Sequence, residues 1–271
     1  MIEDTQGRID YDEHGNGAGP TIVLVPGSCS TGAAWQPVMA AWNNQFRCVT
    51  TSLLGYGGTA ERRTSRDPSI AHEAEALEAV IRRAGDPVHL VGHSFGGLVG
   101  LAVARRNRVA LASLVIAEAP ASEVLREFGE HEHYGAIRRM TEAYFAEFEG
   151  GNREAIAIMI DFFAGAGTVA SWPPRVRAYA AETTPVNILD WASAYGFSLS
   201  ASVLATIDIP VLVLRGGASH PAMQRANALL GDIVTGAELI TIEGAAHFMI
   251  TTHANEVAGL IAQHVHRADH R

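Results

Sequence analysis

Cysteine is almost absent from this chain of 271 residues, with Cys29 and Cys48 the two present. Two free thiols suit a reducing compartment; they leave no basis for a disulfide-stapled scaffold and argue against a structural zinc site. Long apolar runs are missing too. No stretch approaches the roughly 18 consecutive apolar residues that cross a bilayer, and Met1-Ile2-Glu3-Asp4 is acidic and lacks the apolar core of an export signal. The expectation is a cytoplasmic protein. Positive charge is in deficit: the formal net charge is −9 at pH 7. An acidic surface excludes nucleic acid and anionic membrane as natural partners and leaves a small molecule as the expected one. The arginine clusters that do occur, Arg62-Arg63 with Arg66, Arg82-Arg83, Arg105-Arg106 with Arg108, and Arg138-Arg139, are expected on solvated helix faces or at helix C-termini. Internal repeats and low-complexity segments are absent as well.

What is present is a globular composition, 48% hydrophobic and 18% charged, long enough for one large α/β domain or a domain with an insertion. Strand-like runs at Gly7 to Tyr11, Thr21 to Val25, Arg47 to Thr50, Pro87 to Val91 and Leu111 to Ile116 alternate with helix-like runs at about Ala33 to Trp42 and Ser69 to Ala84. This alternation predicts a mostly parallel central sheet flanked by helices. The glycine-rich stretch from Gly15 to Pro20 reads as a turn, and Leu54 to Gly58 as a glycine loop. From Ala121 to Ser200 the strand signal stops, and helical spacing takes over in Tyr134 to Phe148 and Arg153 to Phe163. Pro120 and Ile209-Pro210 bracket that stretch, and Trp172-Pro173-Pro174 interrupts it. The α/β pattern then resumes with a strand at Val211 to Leu214, a helix at Ala222 to Leu230, a strand at Glu238 to Ile242 and a helix at Asn255 to His266. The expected organisation is a core of residues 1–120 and 201–271 with a helical cap over 121–200.

The most informative stretch is Gly92-His93-Ser94-Phe95-Gly96, a serine between two glycines where an apolar strand meets a small-residue helix. A tight strand-to-helix turn of this kind is a nucleophile elbow: it strains the serine backbone, admits no bulk on either side and lifts the hydroxyl above a helix N-terminus. There the backbone N–H of Phe95 and the helix dipole favour a developing oxyanion.

With this elbow, the loop Val25-Pro26-Gly27-Ser28 near Trp35, and the late stretch Ile242-Glu243-Gly244-Ala245-Ala246-His247-Phe248, the chain resembles the α/β-hydrolase family over essentially its whole length. The resemblance implies Ser94 as nucleophile, His247 as general base, an oxyanion hole of the Ser28 and Phe95 N–H groups, and a helical cap inserted after strand six. Pro26 stands where the family commonly has histidine, which puts the packing of that loop in question. Family members usually carry the acid after the seventh strand, but here Arg215-Gly216-Gly217-Ala218-Ser219-His220-Pro221 holds none. Asp208 precedes the strand and Asp232 is expected beyond the next helix. Some members place the acid after the sixth strand, and there Glu118 follows Leu114-Val115-Ile116-Ala117; it is the expected acid, with Glu243 or a serine-histidine dyad as its replacement.

The expected reaction is hydrolysis of a small, largely apolar ester, thioester or lactone through an acyl-enzyme, as in a carboxylesterase. Carbon-carbon bond hydrolysis, hydroxynitrile lyase and perhydrolase chemistry use the same parts, and a ligand-binding receptor of the same fold stays open as another class. Trp35, His93 and Phe248 are expected to line the substrate pocket, within a wider aromatic inventory of Phe95, Phe162, Phe163, Trp172, Trp191, Tyr195 and Phe197. Cys29 reads as filler. His131-Glu132-His133 has the spacing of half a metal site but no complementary ligands, so neither metal nor cofactor is expected. Monomer and homodimer remain open.

Overall fold

The β-branched and leucine runs form strands because each can bury both faces of a sheet. The computed structural model describes residues 1–4, 6–15 and 19–270, so the centre of the turn expected at Gly15 to Pro20 lies outside the described residues. Strands β1 (Ile2–Asp4) and β2 (Gly7–Ile9) make an antiparallel pair of their own. Among the described residues the main sheet has seven strands: β3 (Asp12–His14), β4 (Thr21–Val25), β5 (Arg47–Thr50), β6 (Val88–His93), β7 (Leu111–Ala117), β8 (Val211–Gly216) and β9 (Glu238–Ile242). Their spatial order is β3-β5-β4-β6-β7-β8-β9, with β3 antiparallel to β5 and every other pair parallel. The α/β-hydrolase fold expected from the sequence is the observed one.

Alternation along each strand divides the core into two. Val23, Val25, Leu90 and Ile116 join α2 (Ile70–Ala84), α3 (Phe95–Arg106) and α11 (Pro221–Ile233) on one face. Ile22, Leu24, Val91 and Val115 join α1 (Gln36–Ala41) and α13 (Ala254–Asp269) on the other. Between β7 and β8 come α4 (Ser122–Glu127), α5 (His131–Glu149), α6 (Ile156–Ala164), α7 (Thr168–Ser171), α8 (Pro174–Glu182), α9 (Thr184–Gly196) and α10 (Ala201–Leu204), the last of them beyond residue 200. A short helix α12 (Met249–Thr252) precedes α13.

Two expected elements differ. The strand expected to run to Tyr11 ends at Ile9, because the chain changes sheet at Asp10: its N–H bonds to Thr59 Oγ1 (3.0 Å) and its carboxylate accepts from the Gly58 N–H (2.8 Å). The single helix expected over Ala33 to Trp42 is split into a 3-10 turn, Gly32–Trp35, and α1, with Pro37 in the first turn of α1 where its missing N–H is tolerated. No helix of the described residues is long and apolar enough to cross a membrane.

Candidate active site

Ser94 sits between the end of β6 and the start of α3 with φ 53° and ψ −128°, a backbone geometry that costs an L-residue of order 1–3 kcal/mol. Glycine on both sides makes the turn possible: a Cβ on Gly92 would lie 2.3 Å from the Gly96 carbonyl oxygen, and one on Gly96 would lie 2.4 Å from that of Pro26. The ends of three strands lock together around the turn. The Ser94 N–H donates to the Ala117 carbonyl (2.8 Å), the Glu118 N–H to that of Leu214 (2.9 Å), and the Gly216 N–H to Glu118 Oε1 (2.7 Å). Glu118, itself at φ 54°, is fully buried between the tips of β7 and β8.

The loop after β9 brings in His247, 5% exposed. Its Nε2 lies 3.0 Å from Ser94 Oγ, and its Nδ1 lies 3.4 Å from Glu118 Oε2. The structure thus brings together serine, histidine and glutamate from three separate loops. With the proton on Nδ1, that N–H donates to Glu118 Oε2 and the Nε2 lone pair faces the serine hydroxyl. The segment after β8, where an acid was sought and not found, holds the histidine loop by backbone bonds instead: the Gly217 N–H to the Ile242 carbonyl (2.9 Å) and the Ala218 N–H to that of Ala245 (2.8 Å). There His220 caps α11 by accepting the Ala222 N–H at Nδ1 (3.2 Å) and stacks on Phe162. Asp208 precedes β8, and Asp232 lies in the last turn of α11 rather than beyond it. Glu243 is exposed, its side chain against Gly217.

The loop after β4 approaches so closely that a Cβ on Gly27 would lie 2.8 Å from that of Ser94. Ser28 follows, next to the nucleophile candidate, while Phe95 is the first residue of α3, whose leading N–H groups have no partner inside the helix. His93 is buried under the same loop and donates Nε2–H to the His247 carbonyl (2.8 Å). Burial, and then the neighbouring His247, push its pKa down to about 3, so it stays neutral.

A cavity of about 650 Å³ opens above these residues. His93 and Phe248 line it, as do Phe95, Phe163, Trp172 and Trp191. Trp35 does not. This expected pocket residue is fully buried in the core on the α1 and α13 side, packed with Ile22, Leu24 and Val38, because the 3-10 turn directs it under the sheet rather than over the elbow. Phe162, Tyr195 and Phe197 also stay outside the lining, Tyr195 held by Thr141 and by the guanidinium of Arg138. Cys29 lines the cavity with its thiol pushed up to about 12 by burial, which suits filler rather than a nucleophile. Among the described residues, no three His, Cys, Asp or Glu side chains converge to hold a metal ion.

Sequence reasoning missed one cluster. Arg63, expected on a solvated face, has a fully buried side chain, because three carboxylates surround it. Its NH1 bonds to Asp190 Oδ1 (2.7 Å) and approaches Glu73 Oε1 (3.2 Å), and its NH2 bonds to Glu61 (2.8 Å). Burial opposes the charge on Arg63, but Asp190 and Glu73 outweigh it and hold the guanidinium ionised. Asp190 Oδ2 in turn accepts from Ser28 Oγ (2.5 Å) and Tyr56 Oη (2.6 Å). Through Asp190, a residue of α9 in the cavity wall fixes the side chain of the loop beside Ser94. The one local cue was an arginine just past a glycine loop, and nothing in it names Asp190.

Comparison with known proteins agrees with this fold. The alpha/beta hydrolase family profile matches residues 22–260. The chain is 24% identical to 2-hydroxymuconate semialdehyde hydrolase of Pseudomonas sp. strain CF600 over 268 residues, 94% of this chain and 90% of that protein. It is 26% identical to the pimeloyl-[acyl-carrier protein] methyl ester esterase of Methylococcus capsulatus, over 92% of this chain and 96% of the other. The crystal structure of esterase RhEst1 from Rhodococcus sp. ECU1013 superposes with a TM-score of 0.74 at 22% identity, covering 95% of this chain and 94% of that one. A profile match across most of its length, with hydrolases aligned end to end, makes this chain a hydrolase that belongs to the alpha/beta hydrolase family.

Proposed function

We propose that the chain is a serine esterase for small, neutral, largely apolar esters, thioesters or lactones. The observation that carries this reading is the line Ser94–His247–Glu118 opening into a cavity whose wall, among the described residues, holds no Lys or Arg. Ser94 Oγ attacks the carbonyl carbon while its proton passes to His247 Nε2; Glu118 keeps the imidazolium in place. The carbonyl oxygen gains charge and is met by the Ser28 and Phe95 N–H groups. The bond from acyl carbon to leaving oxygen then breaks, and the alcohol departs with the proton from His247. A water molecule, deprotonated by His247, hydrolyses the acyl-Ser94 ester and returns the hydroxyl. The helices between β7 and β8 serve as a cap that selects the substrate.

End-to-end similarity to 2-hydroxymuconate semialdehyde hydrolase supports a second reading, carbon-carbon bond hydrolysis on the same residues. It is disfavoured for acidic substrates because the cavity wall, among the described residues, holds no Lys or Arg. The test is a panel of short p-nitrophenyl esters and diketones, with Ser94→Ala as control and a fluorophosphonate probe for Ser94. Stoichiometric labelling with ester turnover is expected. Faster cleavage of diketones would favour the second reading, and a folded protein that resists the probe would sink both.

A further inference from the structure

The loop after β4 carries an N–H on which the esterase reading depends, yet little in its own sequence would hold that group still. Gly27 has no Cβ to restrict the Gly27–Ser28 peptide, and Cys29, at φ 57°, takes a backbone conformation that an L-residue adopts only where its surroundings impose it. The restraint comes from outside the loop. Ser28 Oγ donates to Asp190 Oδ2 at 2.5 Å, and the Cys29 thiol interacts with Thr183, the N-cap of α9. Both anchors lie on α9 or at its cap, in the segment between β7 and β8.

Asp190 is itself fixed. It is 2% exposed, its Oδ1 accepts from Arg63 NH1 (2.7 Å), and its Oδ2 accepts a second hydroxyl, that of Tyr56 (2.6 Å). Although it borders the cavity, both of its oxygens are taken. The buried arginine fits this arrangement. A bare carboxylate bonded to Ser28 would repel the negative charge that develops on a substrate oxygen at the Ser28 N–H; the guanidinium on the other carboxylate oxygen offsets that repulsion and leaves the bond to Ser28 intact. Among the described residues, Asp190 is the one hydrogen-bond partner of the Ser28 hydroxyl. An oxyanion donor is effective only when it is aimed before the charge appears.

The geometry points to Asp190 as a positioning residue: through Ser28 Oγ it sets the direction of the Ser28 N–H, so that α9 completes the oxyanion hole. This inference rests on the esterase reading above. Asp190 touches no reacting atom in this role, and its effect passes entirely through Ser28.

An oxyanion mimic separates this role from a structural one. Phenethyl trifluoromethyl ketone reacts with Ser94: Oγ bonds to the carbonyl carbon, the hydroxyl proton passes to His247, and the carbonyl oxygen becomes the oxyanion. The corresponding alcohol fills the same space and forms no adduct. The ratio of their inhibition constants therefore reads the oxyanion donors and cancels changes in the cavity. Ser28→Ala removes the side-chain restraint and keeps the backbone N–H. Asp190→Leu keeps a branched side chain without an acceptor, and Asp190→Ala serves where leucine does not fit. Each is expected to weaken the ketone about tenfold relative to the alcohol, a part of what outright loss of an oxyanion donor costs. Each should also lower kcat and kcat/KM alike on p-nitrophenyl butyrate, the mark of an interaction made only in the transition state. The double variant at Ser28 and Asp190 should lose no more than the larger single loss, because both changes break the same bond. Losses that multiply, or that fall equally on ketone and alcohol, overturn the inference while Ser94 still labels and esters still turn over. If neither Asp190 variant folds, Ser28→Ala decides: a wild-type ratio of ketone to alcohol overturns it. Absence of ester turnover together with an unlabelled Ser94 overturns the esterase reading, and this inference with it.

Discussion

Glu118 is the side chain on which the proposed chemistry turns, because both of its oxygens are committed. Oε1 accepts from the Gly216 N–H and Oε2 faces His247 Nδ1. A glutamine in its place has one acceptor oxygen and one donor nitrogen, so it cannot serve both partners. Whichever contact the oxygen keeps, the other meets donor against donor or drives His247 to the tautomer with Nε2 protonated, which cannot take the Ser94 proton. Glu118→Gln is therefore expected to lower kcat/KM on a p-nitrophenyl ester by roughly a thousand- to ten-thousand-fold, as removal of the acid's tautomer control does in serine hydrolases. A circular-dichroism melt should show a folded protein. Near-full turnover in that folded variant would remove Glu118 from the mechanism and return attention to Glu243, exposed as it is, or to a dyad.

Among elements, the junction of α2 with α9 is where charge is most crowded. Arg63 lies between Glu73 of α2 and Asp190 of α9, with Glu61 as a third carboxylate. One cation cannot neutralise three carboxylates, two of them buried. Glu73 is the one whose contact with Arg63 lacks hydrogen-bond geometry: Oε1 has no hydrogen-bond partner, and Oε2 accepts the Leu54 N–H at 3.2 Å. Burial raises its pKa to about 8 despite Arg63. A carboxyl whose folded pKa lies above its unfolded value contributes most below the unfolded value, near 4.5, and loses that contribution as pH rises to about 8. Glu73→Gln mimics the protonated form and has no such loss. In urea titrations at a series of pH values, the variant should gain on the wild type between pH 4.5 and about 8, by a few kcal/mol at most, and level off above. A pH-independent difference would show that Glu73 is ionised throughout. The sequence made most of the elements around this junction readable, since α2 and the parallel strands carry their periods locally. It hid the junction itself, because Arg63 and Asp190 are 127 residues apart and their pairing leaves no local trace. The same division holds at the site. The elbow and the His247 loop are local motifs, whereas the misplacement of Trp35 came from a 3-10 turn that sequence spacing read as helix.

At the scale of the molecule, charge and cavity act in the same direction. All 20 Lys-or-Arg positions are arginine, yet they leave a net charge of −9, and none of those among the described residues lines the cavity. An anionic substrate thus meets a repulsive field on approach and no counter-charge on arrival; the first effect is screened by salt and the second, a desolvation cost, is not. Phenyl methyl adipate and monophenyl adipate separate the two, since they share the scissile ester and differ by one negative charge at the far end of the chain. At low ionic strength the neutral diester should be favoured in kcat/KM by roughly tenfold or more, and raising the salt toward 0.5 M, where the Debye length falls to about 4 Å, should narrow the gap without closing it. Equal rates at all ionic strengths would mean that the carboxylate stays in solvent or finds a cation outside the lining described, and the proposal of a neutral substrate class would then fail.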